Sequence, residues 1–103
     1  MTTVPYYDVS IKNISKLVLD DAHVSYDNFY SIGGVLPPGI EKIHGNPNYP
    51  IPDKATVEWR TKDGIFHKKE IDLTRISKDF SGEIRFEIDD SNNVAIRAVP
   101  RKK

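Results

Sequence analysis

The stretch that decides the fold is Ala55-Thr56-Val57-Glu58-Trp59-Arg60-Thr61, then Lys62-Asp63-Gly64, then Ile65-Phe66-His67-Lys68-Lys69-Glu70-Ile71-Asp72-Leu73. Its first part alternates apolar and polar residues, which is typical of a strand with one buried face. Asp63-Gly64 favours a tight turn, because glycine tolerates positive φ and aspartate bonds its own turn. The stretch therefore predicts a β-hairpin, with Trp59 as an anchor of the core.

The return half of this hairpin alternates less regularly. Strict alternation places His67 and Lys69 beside Ile71 on the apolar face. A bulge near Lys68-Lys69 would instead move Phe66 onto that face, and we offer this bulge as a hypothesis.

Alternation recurs along the chain, and no amphipathic helix of ten or more residues is detectable. Residues 17–26 change phase, which indicates a bulge or two short strands. Three prolines in 45–53 predict a fixed crossover between two sheets.

About seven short strands predict an antiparallel two-sheet β-sandwich of immunoglobulin-like class, with a small barrel as the alternative. The predicted core is Val9, Ile11, Val24, Val57, Trp59, Ile84, Phe86, Ile88 and Ile96.

Length and composition exclude several classes of protein. The 103 residues predict a single domain, 1–103. Fifteen basic residues balance fifteen acidic ones, which argues against nucleic-acid binding. No apolar run is long enough to span a membrane. The chain has no cysteine, so thiol chemistry and disulfides are excluded. We expect the periplasm if an export segment has been removed, and otherwise the cytoplasm.

No residue pattern indicates catalysis or a cofactor. The three histidines, His23, His44 and His67, lie about twenty residues apart and lack metal-site spacing. Asp89-Asp90-Ser91-Asn92-Asn93 lacks the glycine and distal glutamate of a calcium loop and predicts a turn. We therefore expect no enzyme, no metal and no cofactor.

Aromatic residues are concentrated in the first half of the chain, several of them in predicted loops. Tyrosine offers a large contact area at low entropic cost and is enriched at interfaces. A shared patch of Phe29, Tyr30 and Tyr49 is the predicted binding site. For any single tyrosine, a position that covers the core with its hydroxyl in water is the simpler interpretation.

Two short motifs carry a resemblance to a known class of proteins. Ile11-Lys12-Asn13-Ile14-Ser15 and the turn Leu36-Pro37-Pro38-Gly39 resemble segments of bacterial immunoglobulin-like domains. The run 57–64 is similar to a segment of small uncharacterised bacterial proteins with this layout. Some of those are candidate lipoproteins, and some are candidate immunity proteins that accompany secreted toxic effectors.

The missing catalytic pattern and the loop aromatics predict a non-catalytic domain that binds a protein. The resemblance implies that this domain is an immunity protein that binds a secreted effector. Two alternatives stay open. One is a structural or self-associating envelope domain, in which a homodimer forms through the same patch. The other is a carbohydrate-binding β-sandwich, which would also use exposed aromatic side chains.

Overall fold

The computed structural model describes residues 6–27, 29–31, 34–45, 47 and 49–100. These residues form eight strands and no helix, and so contain none that is long and apolar enough to cross a membrane. The all-β class is confirmed, with eight strands where the sequence predicts about seven. The strands are β1 Tyr7–Asn13, β2 Asp20–Tyr26, β3 Phe29–Tyr30, β4 Glu41–His44, β5 Lys54–Arg60, β6 Phe66–Asp72, β7 Gly82–Ile88 and β8 Val94–Pro100.

The strands form two four-stranded sheets, in the orders β4-β1-β7-β8 and β3-β2-β5-β6. Every strand pairing is antiparallel except that of β1 with β7, which run parallel from Tyr7 opposite Gly82 to Asn13 opposite Ile88. The prediction of antiparallel sheets is therefore correct for most pairs and wrong for this one. Alternation assigns the faces of a strand but not its neighbours, so it cannot predict a parallel pair between distant segments.

The predicted hairpin is confirmed, but the bulge in its return strand is wrong. β5 and β6 pair without a shift from Lys54 opposite Asp72 to Arg60 opposite Phe66. His67 therefore lies opposite Trp59 on the core side, where the two rings stack with centroids 5.3 Å apart. β6 is an edge strand, so its polar core-side residues reach water past the edge of the sandwich.

The phase change in 17–26 is a bulge in β2. The register of β2 against β5 shifts between Asp20 and His23, and Asp21 adopts a positive φ of 51°. Ala22, within the shift, and Val24, beyond it, are both buried in the core. The alternative of two short strands is not needed.

The core lies between the two sheets and contains the residues that the sequence predicts. Eight of the nine predicted core residues are buried, and the ninth, Ile96, packs half-buried against them. Trp59 has no exposed surface, which confirms it as a core anchor. The predicted crossover between two sheets is also confirmed, since β4 and β5 belong to different sheets and Ile51 between them is buried. Residues 46 and 48 of this segment lie outside the described residues.

Candidate binding surface

The buried side chain of Asn13, the last residue of β1, organises one end of the sandwich. Its Nδ2 donates to the carbonyl of Leu17 at 2.6 Å and to that of Leu36 at 2.8 Å. Its Oδ1 accepts from the N–H of Ser15 at 2.9 Å and from the hydroxyl of Ser15 at 2.6 Å. The side-chain amide of Asn13 thus forms hydrogen bonds with groups on two loops.

Main-chain hydrogen bonds fasten the same two loops to β1 and to each other. The N–H of Asn13 donates to the carbonyl of Ile40 at 3.0 Å, and the N–H of Gly39 donates to the carbonyl of Asn13 at 2.7 Å. Leu19 and Leu36 exchange both of their main-chain bonds, at 3.0 and 2.7 Å. Segments 14–19 and 35–40 are therefore held as one unit.

This unit leaves five aliphatic side chains between 45 and 55 % exposed. We call them the apolar loop surface: Ile14, Leu17, Val18, Val35 and Ile40. Scattered exposed aliphatic residues are ordinary, but here five of them lie on two joined loops, which makes this unit a candidate interaction site. Loops that are already ordered lose less conformational entropy on binding. The sequence signal for this surface is a set of aliphatic residues between polar turn residues, which alternation alone does not separate from a strand.

The predicted patch of Phe29, Tyr30 and Tyr49 is not one exposed surface. Phe29 and Tyr30 are neighbours on β3, so their side chains point to opposite faces. Phe29 is 6 % exposed and stacks on Tyr26 in the core, with ring centroids 4.8 Å apart. Tyr49 packs half-buried against the core, whereas Tyr30 is 58 % exposed. The inclusion of Phe29 in an exposed patch is wrong, and a binding role for Tyr30 stays a prediction.

Tyr30 covers a histidine on the outer face of the β3-β2-β5-β6 sheet. Its ring stacks on that of His23 with centroids 4.5 Å apart, and His23 is buried as a result. Nδ1 of His23 lies 2.9 Å from the carbonyl oxygen of Asp21, and Nε2 lies 3.9 Å from a carboxylate oxygen of Glu58. Nδ1 thus has a hydrogen-bond partner within the protein, and Nε2 faces a carboxylate.

The three histidines do not come together. His44 contacts the edge of the Phe29 ring, and His67 stacks on Trp59. Within the part of the chain that the structure describes, no three residues among His, Cys, Asp and Glu are placed to hold a metal ion.

The outer face of the β4-β1-β7-β8 sheet carries a cluster of charged and polar side chains. Nε of Arg85 donates to Glu41 at 2.8 Å and to Glu83 at 3.0 Å, and the buried hydroxyl of Ser10 donates to Glu83 at 2.5 Å. Hydrogen bonds from Glu41, Ser10 and Arg85 lower the pKa of Glu83 to about 2. Burial, with the hydrogen bond to Glu83, raises the pKa of Glu41.

Unequal pKa values in a carboxyl pair suit a general acid and a general base. Here, however, each carboxyl group is engaged by Arg85, and Glu83 also by Ser10. Among the described residues, no buried side-chain nitrogen or oxygen atom lacks a hydrogen-bond partner. The cluster therefore has the character of a cross-strand ion-pair network that joins β4, β1 and β7.

A cleft of about 310 Å³ opens between the two sheets beside β4. The described residues that line it are mainly apolar, among them Val9, Ile11 and Leu36, together with Lys42 and His44. No carboxylate is among these lining residues, so the cleft and the carboxyl pair of the outer face do not form one site.

Comparisons with known proteins add information about the fold alone. The chain matches no protein-family model, and no curated protein matches it in sequence. It is similar to a solved structure described as an NMR structure of a protein from Eubacterium rectale. The TM-score is 0.63 at 12 % sequence identity, over 94 % of this chain and 91 % of that one. An identity this low carries the shared architecture and no function.

Proposed function

We propose that this chain is a non-catalytic domain that binds another protein through the apolar loop surface. The observation that carries the proposal is the group of half-exposed aliphatic side chains on two loops that Asn13 holds together. Their partner is a protein with an apolar patch of its own, since aliphatic side chains offer sugars and phosphates no hydrogen bonds. A loop end of this kind suits an interface of roughly 800 Å² per partner.

The non-catalytic part of the proposal is supported by how the polar side chains are used. The candidates for a general acid or base are His23, Glu41 and Glu83. Each of these side chains is hydrogen-bonded to a neighbouring group of the protein. A general base needs a position within hydrogen-bond reach of a substrate proton. Turnover of an ester, phosphate or glycoside substrate that Glu83→Gln abolishes would overturn this part.

We further propose that the partner is a secreted bacterial effector, which makes the chain an immunity protein. The support for this step is the resemblance of 57–64 to a segment of small bacterial proteins, some of which are candidate immunity proteins that accompany secreted toxic effectors. The carbohydrate-binding alternative has one supporting observation, the exposed ring of Tyr30. It is weaker because one face of that ring is already stacked on His23.

The immunoglobulin-like type of the sandwich is likewise a proposal. Two packed four-stranded sheets with a buried tryptophan on an inner strand support it. The strand order differs from that of constant-type immunoglobulin domains, in which the first two strands lie in one sheet. Here β1 and β2 lie in different sheets.

The test is capture of the partner from cells of the source organism with matched variants. Leu17→Lys places a charge in the apolar loop surface, and Ile43→Lys makes a similar change at an exposed aliphatic residue on β4. We expect one stoichiometric foreign protein with the wild-type chain and with Ile43→Lys, and its loss with Leu17→Lys. Equal capture by both variants would place the binding site elsewhere. If the captured protein is not toxic to cells that lack this chain, the immunity role fails while protein binding stands.

A further inference from the structure

The cleft beside β4 has the size and the lining of a site for a small molecule. Its volume of about 310 Å³ lies at the lower end of the range of such sites, roughly 300–1,000 Å³. Four of the described lining residues are apolar side chains that are at most 4 % exposed. We call them the apolar floor of the cleft: Val9, Ile11, Ala22 and Leu36.

Two basic side chains of β4 lie on the same side of the sheet as this floor. In the pairing of β4 with β1, Lys42 lies opposite Ile11 and His44 lies opposite Val9. Residues directly opposite each other on paired strands share a face of the sheet, so both basic side chains are on the core side. Both line the cleft, and Lys42 is also exposed, which places it at the mouth.

The amine of Lys42 reaches across this mouth. A Cβ atom placed on Gly34 would lie 2.8 Å from Nζ of Lys42, so the amine is close to this glycine. The carbonyl oxygen of Gly34 accepts from the N–H of Ala22 in β2 at 3.4 Å, which ties the glycine to the second sheet. Lys42 therefore spans the opening from β4 to the segment beside β2.

The positive charge of Lys42 has no carboxylate partner among the described residues. The lysines that form salt bridges in this part of the chain are Lys54 and Lys78. The carboxylate next to Lys42 in the sequence, that of Glu41, lies on the outer face of the sheet and accepts from Arg85. A cation above an apolar floor is complementary to a molecule with an anionic head and an apolar body.

We propose that the cleft binds a small aliphatic carboxylate of the fatty-acid class, with its carboxylate at Nζ of Lys42 and its chain along the apolar floor. The volume of the cleft limits the occupant to a small molecule, and the charge of Lys42 selects an anion over an alcohol or an amine. An inward-pointing lysine also protects an edge strand against pairing with another strand, but that role requires no cleft behind the side chain. The site does not depend on the proposed function.

Titration with octanoate, followed by the methyl resonances of the protein in NMR spectra, tests the position of the site. We expect the resonances of Val9, Ile11 and Leu36 to shift, whereas those of Leu17 in the apolar loop surface stay unchanged. 1-Octanol and octylamine carry the same chain without a negative charge, so they should bind about tenfold more weakly or worse. The absence of any shift with octanoate, shifts at Leu17 instead of the floor, or equal binding of 1-octanol would overturn the proposal.

Calorimetry with matched variants tests the role of Lys42. Lys42→Met removes the ammonium group and keeps an apolar side chain, so we expect the dissociation constant of octanoate to rise about tenfold or more. Lys62→Met makes the same change at an exposed lysine of the β5–β6 turn and should leave the constant unchanged. Circular dichroism checks that both variants are folded. Equal affinities of the two variants for octanoate would exclude Lys42 as the anion-binding residue and contradict the proposal.

Discussion

Asn13 and Leu36 lie 23 residues apart in the sequence and are joined by a 2.8 Å hydrogen bond from the amide of the first to the carbonyl of the second. Asn13 belongs to one of the two motifs that resemble bacterial immunoglobulin-like domains, 11–15, and Leu36 begins the other, 36–39. The two motifs thus form a single structural unit at one end of the sandwich. The apolar loop surface is built on this unit, so its geometry depends on one buried amide.

Replacing Asn13 with alanine should therefore lower the free energy of unfolding by about 3 kcal/mol or more. The change removes all four side-chain hydrogen bonds of Asn13 and leaves the buried N–H of Ser15 without its acceptor, whereas the carbonyl groups of Leu17 and Leu36 each keep a second donor. A buried polar group without a partner costs about 1–3 kcal/mol. Urea denaturation monitored by tryptophan fluorescence measures the loss.

Asn93→Ala is the control for this prediction, because the Asn93 side chain is exposed in the β7–β8 turn. It should change the free energy of unfolding by about 0.5 kcal/mol or less. Asn13→Asp adds a second check, since it keeps the size of the side chain but turns an oxygen towards two carbonyl groups. If Asn13→Asp is as stable as the wild type at pH 7, the two donated hydrogen bonds do not stabilise the fold.

Replacing Trp59 with alanine should cost about 3–5 kcal/mol, because the indole is fully buried and its loss leaves a cavity. Trp59→Phe should cost less, since it keeps an aromatic ring opposite His67 and loses the 3.3 Å hydrogen bond from Nε1 to Asn92. Because both variants lack the tryptophan, circular dichroism during urea denaturation measures their free energies of unfolding. A loss below about 1 kcal/mol for Trp59→Ala would contradict the role of Trp59 as the core anchor.

The sequence predicts the faces of the strands well because alternation is a local property. Val9, Val57 and Phe86 lie in the core as predicted, each in a segment that alternates cleanly. The return strand of the hairpin, 66–72, was misread because an edge strand tolerates polar residues on its core side. In this strand a bulge was inferred where the pattern was in fact strict alternation.

The candidate site was harder to predict than the fold. Phe29 and Tyr30 were grouped as loop aromatics, although adjacent residues in a strand face opposite sides. The β1–β7 pairing and the bonds of Asn13 join segments that are far apart in the sequence. Such contacts depend on the whole topology, which no local pattern contains.

The turn of the hairpin depends on a glycine. Gly64 has a φ of 84°, and no atom lies within 4 Å of the position that a Cβ would occupy. Gly64→Ala should therefore cost about 1–2 kcal/mol through backbone strain alone. Gly45→Ala is the matched control, because its position is equally open and carries no positive φ. If thermal denaturation shows the same change in melting temperature for the two variants, the turn relaxes to avoid the strain.

Acid should destabilise the protein in part through Glu83, and two isosteric variants can isolate this contribution. The pKa of Glu83 falls from its ordinary value of 4.5 to about 2, with the hydrogen bond from Glu41 as the largest cause, followed by those from Ser10 and Arg85. The folded state therefore binds this proton less tightly than the unfolded chain, so the stabilisation is complete above pH 4.5 and is lost as the pH falls towards 2. Glu83→Gln should be less stable than the wild type at pH 7, and the difference should shrink steadily in acid. The pKa of Glu41 is raised, first by burial and then by the hydrogen bond to Glu83, so its ionised form is less stable in the folded protein than in the unfolded chain. Glu41→Gln should accordingly cost less at pH 7 than Glu83→Gln does. Urea denaturation of the three proteins between pH 2 and pH 7 measures these differences, and a larger loss for Glu41→Gln at pH 7 would mean that the two carboxyl groups hold the proton in the opposite order.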